Sequence, residues 1–162
     1  MIAFETDWLK RWGQYTPKRL ALREHGRAIE WNYAEMNRRV NALARYLLEE
    51  LRLKRGDRIA VYSKNRAEYV FLFFACAKSG LVLVPLNFRL MPRELDTLIH
   101  DAEPQLFLYE REYTEMVEKL QTLAAIPRRM VFESITPFLT GPIQADSFDP
   151  DRPNDEEDLV MI

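Results

Sequence analysis

The longest apolar stretch of the chain, residues 65–90, predicts a buried helix that is followed by a strand. Asn65 stands three residues before Glu68, a spacing that is typical of a capping box at a helix start. The apolar run over residues 69–77 leaves the helix no polar face. Gly80 then supplies the left-handed residue that commonly ends a helix, so the sequence predicts that the helix stops there.

Short apolar runs recur along the chain and predict the strands of a parallel sheet. Residues 82–84 are all apolar and are closed by Pro85, a pattern that is typical of a strand covered on both faces. Similar runs occupy residues 58–62, 105–109 and 130–132. Because helical patterns separate these runs, we expect an α/β fold with a mainly parallel sheet and flanking helices.

A second helix is predicted upstream of the first strand of this sheet. Asn32 and Glu35 have the spacing of a capping box, and Trp31 can pack against the apolar residue at position 36. One helix face is apolar, with Met36, Val40, Leu43, Leu47 and Leu51. Charged residues occupy the other faces and are expected to be solvated: Arg38, Arg39, Arg45 and Glu49.

Two further elements are predicted from turn and start signals. Residues 20–24 and 28–32 read as short strands that are joined by a turn at Gly26. Pro92 at a first helical position predicts another helix, although Met91 before it has no side-chain oxygen with which to cap the helix. The residues of this helix that are expected to point inward are Leu95, Leu98 and Ile99.

The character of the chain changes near its end. Four of the nine prolines and most of the acidic excess fall between residues 137 and 158, which favours an irregular connector. We therefore divide the chain into an α/β subdomain over residues 1–135, an acidic, proline-rich connector over residues 136–158, and the start of a further strand over residues 159–162.

The sequence of residues 77–90, AKSGLVLVPLNFRL, resembles that of the acyl-adenylate-forming, or AMP-binding, superfamily and in particular of its fatty-acyl-CoA synthetases. The resemblance continues through residues 31–47, 51–70 and 91–110, so that residues 5–133 can be matched in order. It implies that the chain is the first subdomain of the large N-terminal domain of an adenylate-forming enzyme.

The resemblance also implies a reaction for the complete enzyme. A carboxylic acid, expected to be a fatty acid, reacts with ATP and Mg²⁺ to give an acyl-adenylate, and the acyl group then passes to coenzyme A. The family's glycine-rich phosphate loop has no counterpart here, since the acidic residues 155–158 lead into the apolar residues 159–162, where the sequence stops. We expect a fragment that has no catalytic residue, no activity and no tightly bound cofactor.

One ligand contact is nevertheless expected, at Arg89 in the turn after the predicted strand. Ligands of open α/β sheets bind beyond the carboxyl ends of the strands, and a guanidinium can hold a phosphate through two hydrogen bonds. The resemblance implies that Arg89, with Asn87 in the same turn, contacts the nucleotide part of coenzyme A. The alternative is that Arg89 forms a salt bridge that holds the turn.

Composition narrows the class of protein. Residues 146–158 carry seven acidic and one basic residue, so the rest of the chain has 22 basic and 18 acidic residues, a net charge of +4. The arginines are scattered, which argues against a nucleic-acid partner. Cys76 is the only cysteine and is expected to be a packed thiol, as in a cytoplasmic protein. Polar residues and Pro85 divide residues 69–86, so no transmembrane segment is expected.

The sequence contains few residues that would support metal binding, acid–base catalysis or hydrolase chemistry. His25 and His100 lack partners at metal-ligand spacing, so we expect no metal site. Asp96 and Asp101 are expected to be solvated rather than to form an acid–base pair. Two serines, at positions 63 and 79, have no histidine nearby in sequence, so the local sequence does not indicate the triad of a hydrolase.

Two alternatives to a synthetase fragment stay open. The chain could be a stand-alone α/β interaction or regulatory module that kept the family scaffold and binds a partner through the surface that the rest of the enzyme would cover. A phosphoacceptor receiver domain shares the alternating pattern, but the required aspartate cluster at strand ends is not found. If the chain is a synthetase fragment, it is expected to expose apolar surface that normally packs on the missing part, which would favour a homo-oligomer.

Overall fold

The computed structural model describes residues 7–142 and 160–161. Its helices and strands alternate as the sequence predicts, and short 3-10 turns connect several of them. The elements are α1 (Trp8–Tyr15), β1 (Leu20–Glu24), β2 (Ile29–Asn32), α2 (Tyr33–Arg45), β3 (Arg58–Tyr62), α3 (Ala67–Ser79), β4 (Val82–Leu86), α4 (Pro92–Ala102), β5 (Leu106–Tyr109), α5 (Thr114–Val117), β6 (Arg128–Val131) and α6 (Thr136–Thr140).

A four-stranded parallel sheet with the order β4-β3-β5-β6 forms the centre of the fold. Along β3, Ile59 and Val61 belong to one apolar cluster, whereas Ala60 and Tyr62 belong to another. Alternate residues of a strand point to opposite faces, so each face of the sheet has its own core. The first core also contains α1, α2 and α3, and the second contains α4 and α5. The predicted α/β fold with helices on both faces is confirmed.

Helix α3 is buried along its length and ends where predicted, but it does not begin as predicted. Gly80 adopts the left-handed conformation at φ +65°, and a Cβ there would come within 2.7 Å of the Arg55 side chain. The residue before the helix is Arg66, which makes no capping hydrogen bond. The capping box of Asn65 and Glu68 is therefore wrong, because the Glu68 carboxylate is drawn into buried ion pairs instead.

The predicted N-terminal hairpin is present, as β1 and β2 pair antiparallel. The turn uses a different residue from the one expected. Ala28, at φ +54°, takes the left-handed conformation, and Gly26 belongs to the 3-10 turn before it. Gly26 has no atoms within 4 Å of the position of an added Cβ, so its freedom is not what this turn depends on.

Helix α2 begins at the predicted cap, since the Asn32 side chain accepts a hydrogen bond of 2.8 Å from the Glu35 amide. The reciprocal half of the box is absent because the Glu35 carboxylate binds Arg39 at 2.9 Å. Arg39 also donates to the carbonyls of Phe138 and Gly141, so the expectation that it is only solvated is wrong. The apolar face of the helix packs in the first core, and Leu51 at its end is half-buried.

Helix α4 shows how a start can form without a capping side chain. The Glu94 carboxylate accepts a hydrogen bond of 2.8 Å from the Met91 amide, which satisfies one of the free donors at the helix start. Leu95 and Ile99 are buried as predicted. Leu98 is 42% exposed, so the prediction that it points inward is wrong. On this part of the helix, Leu95 and Ile99 are the leucine and isoleucine that face the core.

Strand β4 continues through Pro85 to Leu86 rather than ending before it. β4 lies at the edge of the four-stranded sheet, where a proline removes no essential ladder bond. On its outer side, the Leu83 amide donates to the Val160 carbonyl at 2.7 Å, and Met161 forms a single parallel bridge with Leu83.

The predicted connector begins at residue 136, but residues 136–140 form helix α6. Leu139 is fully buried, and its carbonyl accepts a hydrogen bond of 3.0 Å from the Trp31 indole. The ordered packing thus extends past position 135, because Ile135 and Leu139, four positions apart, are both buried. Most of the predicted connector lies outside the described residues. Among the described helices, none has the length and apolar character needed to cross a membrane.

Candidate functional site

The loops that follow the four parallel strands meet at one edge of the sheet, which we name the carboxyl edge. Because the strands are parallel, their carboxyl ends lie side by side, which is where open α/β sheets bind ligands. The residues at this edge whose side chains carry the polar contacts described below are Tyr62, Ser63, Lys64, Arg66, Asn87, Arg89, Glu110, Glu112 and Glu133.

The turn after β4, residues 87–90, presents Arg89 to solvent. The Asn87 side chain accepts a hydrogen bond of 3.0 Å from the Arg89 amide, and the Asn87 carbonyl accepts one from the Leu90 amide, also at 3.0 Å. The Arg89 guanidinium lies 5.4 Å from the centre of the Phe88 ring. Across residues 7–142 and 160–161, no carboxylate pairs with Arg89, so the alternative of a salt bridge finds no partner there.

Tyr62, the last residue of β3, holds this turn from beneath. Its hydroxyl lies 2.8 Å from the Phe88 carbonyl and 3.0 Å from the Leu90 carbonyl, the two carbonyls on either side of Arg89. The ring is 2% exposed and meets Tyr113 edge to face at 4.8 Å. Burial raises the pKa of the Tyr62 phenol, which keeps it a hydrogen-bond donor. A rigid strand therefore fixes the backbone that carries Arg89.

The loop after β3 is tied to the loop after β5 by a carboxylate. Glu110 is buried and accepts hydrogen bonds from the Ser63 hydroxyl at 2.6 Å and from the Lys64 amide. The Lys64 ammonium bonds Glu112 at 2.8 Å on the surface. The Ser63 hydroxyl is thereby engaged with a carboxylate and a backbone carbonyl, which gives no support to the hydrolase hypothesis.

A denser set of contacts, the Glu68 cluster, consists of Arg27, Arg66, Glu68 and Thr136. Both arginines bind the Glu68 carboxylate through two hydrogen bonds each, at 2.8–3.0 Å, and the Thr136 hydroxyl adds another at 2.8 Å. The Glu68 side chain has no exposed surface. The cluster joins the hairpin, the start of α3 and the start of α6 at a single carboxylate.

The electrostatics of the Glu68 cluster follow from this geometry. Burial alone would raise the pKa of Glu68, but the hydrogen bonds from Arg66 and Arg27 outweigh it and lower the pKa to about 2. Arg66 extends the set of charges, since it lies 3.3 Å from Glu133 and 3.9 Å from Glu110. Every acceptor position of Glu68 is in use, so the cluster is a structural joint rather than a place for a ligand.

The cysteine, aspartate and histidine candidates lie in surroundings that, in the described part of the chain, give no sign of catalysis or metal binding. Cys76 is buried in α3, and burial raises the pKa of its thiol well above the ordinary range. Asp96 accepts hydrogen bonds from the backbone and the hydroxyl of Thr122 and from the Gln121 amide, so it is a cap rather than a solvated carboxylate. His25 and His100 are exposed. Within the described residues, no three His, Cys, Asp or Glu side chains are grouped so as to hold a metal ion.

The sequence pattern led to the turn of Asn87 and Arg89 but missed Tyr62 and the Glu68 cluster. Tyr62 was visible only as an apolar strand residue, and nothing in the sequence says that its hydroxyl reaches a turn 26 residues away. Arg27 lies 41 residues before Glu68. The only local signal was the charged pair of Arg66 and Glu68 at the start of an otherwise apolar helix.

Comparison with known proteins agrees with this architecture. The family model described as AMP-binding enzyme matches residues 9–162. A feruloyl-CoA synthase of Amycolatopsis sp. is 37% identical over 114 residues, which are 70% of this chain and 23% of that protein. The fatty acid–[acyl-carrier-protein] ligase ScoC of Streptomyces coeruleorubidus is 36% identical over 118 residues, 73% of this chain and 22% of that ligase.

Among solved structures, the N-terminal domain of FACL13 from Mycobacterium tuberculosis superposes with a TM-score of 0.84 at 24% identity. The superposition covers 98% of this chain and 41% of the other. This chain thus spans less than a quarter of the curated relatives' length while sharing the fold of an N-terminal domain. From the family match over nearly its whole length, the chain belongs to the AMP-binding enzyme family, as its sequence resemblance implied.

Proposed function

We propose that this chain is the N-terminal part of an ATP-dependent acyl-CoA synthetase that activates a carboxylic acid, expected to be a fatty acid. The observation that carries the proposal is the match to the AMP-binding family over residues 9–162, together with relatives whose names are those of ligases of carboxylic acids. The described carboxyl edge is suited to hold a ligand but carries no nucleophile or general base in a reactive setting.

In the proposed reaction, a carboxylate oxygen bonds to the α-phosphorus of ATP while the bond to pyrophosphate breaks. The sulfur of coenzyme A then attacks the carbonyl carbon of the acyl-adenylate, and AMP leaves. Within the described residues no three His, Cys, Asp or Glu side chains are grouped for a metal ion, so none of them is assigned to Mg²⁺ here. Their part in the proposal is to form the scaffold and one contact of the second half-reaction.

That contact is the turn of Asn87 and Arg89. An exposed guanidinium without an ion partner among the described residues is available for a phosphate, and it can bind two phosphate oxygens at once. Asn87 fixes the backbone of the turn through its bond to the Arg89 amide. The proposed ligand is the nucleotide part of coenzyme A, which carries several phosphates.

Adenylation is tested by ATP–pyrophosphate exchange with a series of fatty and aromatic carboxylic acids. We expect exchange from the product of the complete reading frame and none from the 162-residue chain alone, since no described group stabilises charge on a transferring phosphoryl group. Exchange catalysed by the 162-residue chain would contradict the expectation. A reading frame that stops after Ile162 and gives no exchange would instead favour the interaction module.

A further inference from the structure

Helix α1 displays an aromatic surface that no described residue covers. Trp8 and Tyr15 are each 70% exposed, and Trp12 between them is 44% exposed. Leu20, at the start of β1, is 45% exposed and follows the helix after a short turn. Large apolar side chains are usually withdrawn from water, so four of them exposed within 13 residues need an explanation.

These rings share one side of the helix. With 3.6 residues per turn, positions 8, 11, 12 and 15 fall within an arc of about 100°. Leu9 and Gly13 lie on the other side of the helix, toward the rest of the protein. Leu9 is 2% exposed, and Gly13 lies close against α2. Leu9 and Gly13 thus attach the helix to the body, and the aromatic side is left outward.

The helix is also fixed in place at its start. The Asp7 carboxylate caps α1 by accepting a hydrogen bond of 2.9 Å from the Lys10 amide, and it forms an ion pair with the buried Lys78 of α3. The Trp12 ring lies 6.1 Å from the Tyr33 ring of α2. The aromatic side is therefore a preformed surface on a firmly held helix.

The same segment has an excess of basic side chains, of which Arg23 is paired with Glu30 of β2 at 2.5 Å. Residues 8–23 contain five basic residues and no acidic one: Lys10, Arg11, Lys18, Arg19 and Arg23. Arg11 lies within the aromatic arc, 5.7 Å from the centre of the Tyr15 ring. Lys18 and Arg19 are exposed beside Leu20. Elsewhere in the chain acidic residues outnumber basic ones by 25 to 18, so this positive surface is local.

This combination of charge and shape indicates the kind of partner. Two copies of the surface would place like charges against each other, which disfavours a symmetric contact between copies of this chain. Indole and phenol rings prefer the boundary between water and lipid, and flanking basic side chains bind anionic headgroups. A helix that is aromatic on one side and basic at its margins is suited to lie flat in that boundary.

We propose that the aromatic and basic surface formed by Trp8, Arg11, Trp12, Tyr15 and the adjoining residues 18–20 binds an anionic lipid surface. The rings enter the headgroup layer, and the basic side chains pair with lipid phosphates. The helix docks as it stands, without unfolding and without spanning the bilayer. This inference does not depend on the proposed acyl-CoA synthetase activity.

The test is sedimentation of the full-length protein with vesicles of phosphatidylcholine, either pure or mixed with an equal part of phosphatidylglycerol. We expect binding to the mixed vesicles and little to the pure ones, with weaker binding as salt is raised. The double substitution Trp8→Ser with Tyr15→Ser should reduce binding by about tenfold. The matched control, Met91→Ser with Leu98→Ser, removes one exposed apolar side chain just before α4 and one within it, and should leave binding unchanged.

A charge series separates the two contributions. Arg11→Gln, Lys18→Gln and Arg19→Gln together should abolish the preference for mixed vesicles, whereas Arg93→Gln with Lys119→Gln should keep it. Circular dichroism melts of each variant establish that it is folded. The proposal is overturned if the wild type does not sediment with mixed vesicles, or if it sediments equally with pure ones. It is also overturned if the α1 variants bind vesicles as the wild type does. Self-association or RNA binding through this surface, in place of lipid binding, would overturn it as well.

Discussion

The Glu68 cluster and the turn that carries Arg89 both lie toward the carboxyl edge of the sheet and use the same kind of charged group in opposite ways. In the cluster, two guanidiniums bind one carboxylate that has no exposed surface. In the turn, one guanidinium stands in solvent, and its backbone rather than its charge is held by the protein. Arginine content alone therefore says little about function.

The comparison teaches that the partners of a charge decide its role. A buried carboxylate with every acceptor position filled must stay paired, because removing one partner leaves the other charges without compensation. An exposed arginine has paid no desolvation cost in the fold, and its charge is available to a ligand. We therefore expect changes in the cluster to affect stability and changes in the turn to affect binding.

The largest expected effect on stability comes from Glu68→Gln. The amide keeps the shape of the side chain but cannot compensate two guanidiniums, so the free energy of unfolding should fall by about 3 kcal/mol. Urea denaturation measures the change. The control is Glu49→Gln, which removes an exposed pair with Arg45 and should cost less than about 0.5 kcal/mol. Equal losses in both variants would remove the distinction between buried and surface pairs.

Stability should also depend on the protonation of Glu68. Its pKa lies at about 2 in the folded chain against 4.5 in the unfolded one, so the unfolded state binds the proton first. The contribution is complete above pH 4.5 and is lost as the pH falls toward 2, which amounts to about 3 kcal/mol. Unfolding free energies measured across this window should fall more steeply for the wild type than for Glu68→Gln. Identical slopes would show that another carboxylate is responsible.

A smaller effect is expected from Tyr62→Phe, which removes the hydroxyl beneath the turn. The loss of one hydrogen bond to the Phe88 or Leu90 carbonyl should lower the unfolding free energy by about 1 kcal/mol. In the complete enzyme, the turn should become less ordered and the KM for coenzyme A should rise. Tyr109→Phe is the control, because its hydroxyl makes no hydrogen bond with a described residue, and it should change neither quantity.

Much of the fold could be predicted from sequence because its signals are local. The apolar runs of the parallel strands, Gly80 after α3 and the Asn32 cap of α2 each depend on residues within a few positions of one another. Even in these local elements, competition between hydrogen-bond partners changed some of the predicted helix caps. The carboxylates of Glu35 and Glu68 were expected to cap helices, but each found an arginine that binds it more strongly than a backbone amide does.

The candidate site could be predicted only in part, for a related reason. The place of the turn that carries Asn87 and Arg89 could be predicted because the turn directly follows a recognisable strand, while the ligand contact of these two residues stays a prediction. The groups that hold the turn and the loops around it come from distant positions, as with Tyr62 and Glu110, and their sequence neighbours are ordinary strand and loop residues. Helix α1 was not predicted, and the outward position of its aromatic residues is known only from their exposure in the structure.

We propose that Arg89 is held for a ligand rather than for the fold, and the decisive experiment is Arg89→Ala in the complete enzyme. Its unfolding free energy should stay within about 0.5 kcal/mol of the wild type. The KM for coenzyme A in the thioester-forming half-reaction should rise about tenfold with adenylation unchanged, as expected for the loss of one phosphate contact. Arg38→Ala, an exposed arginine of α2, should leave both steps unchanged. An unaltered KM for coenzyme A in Arg89→Ala would show that Arg89 does not contact coenzyme A.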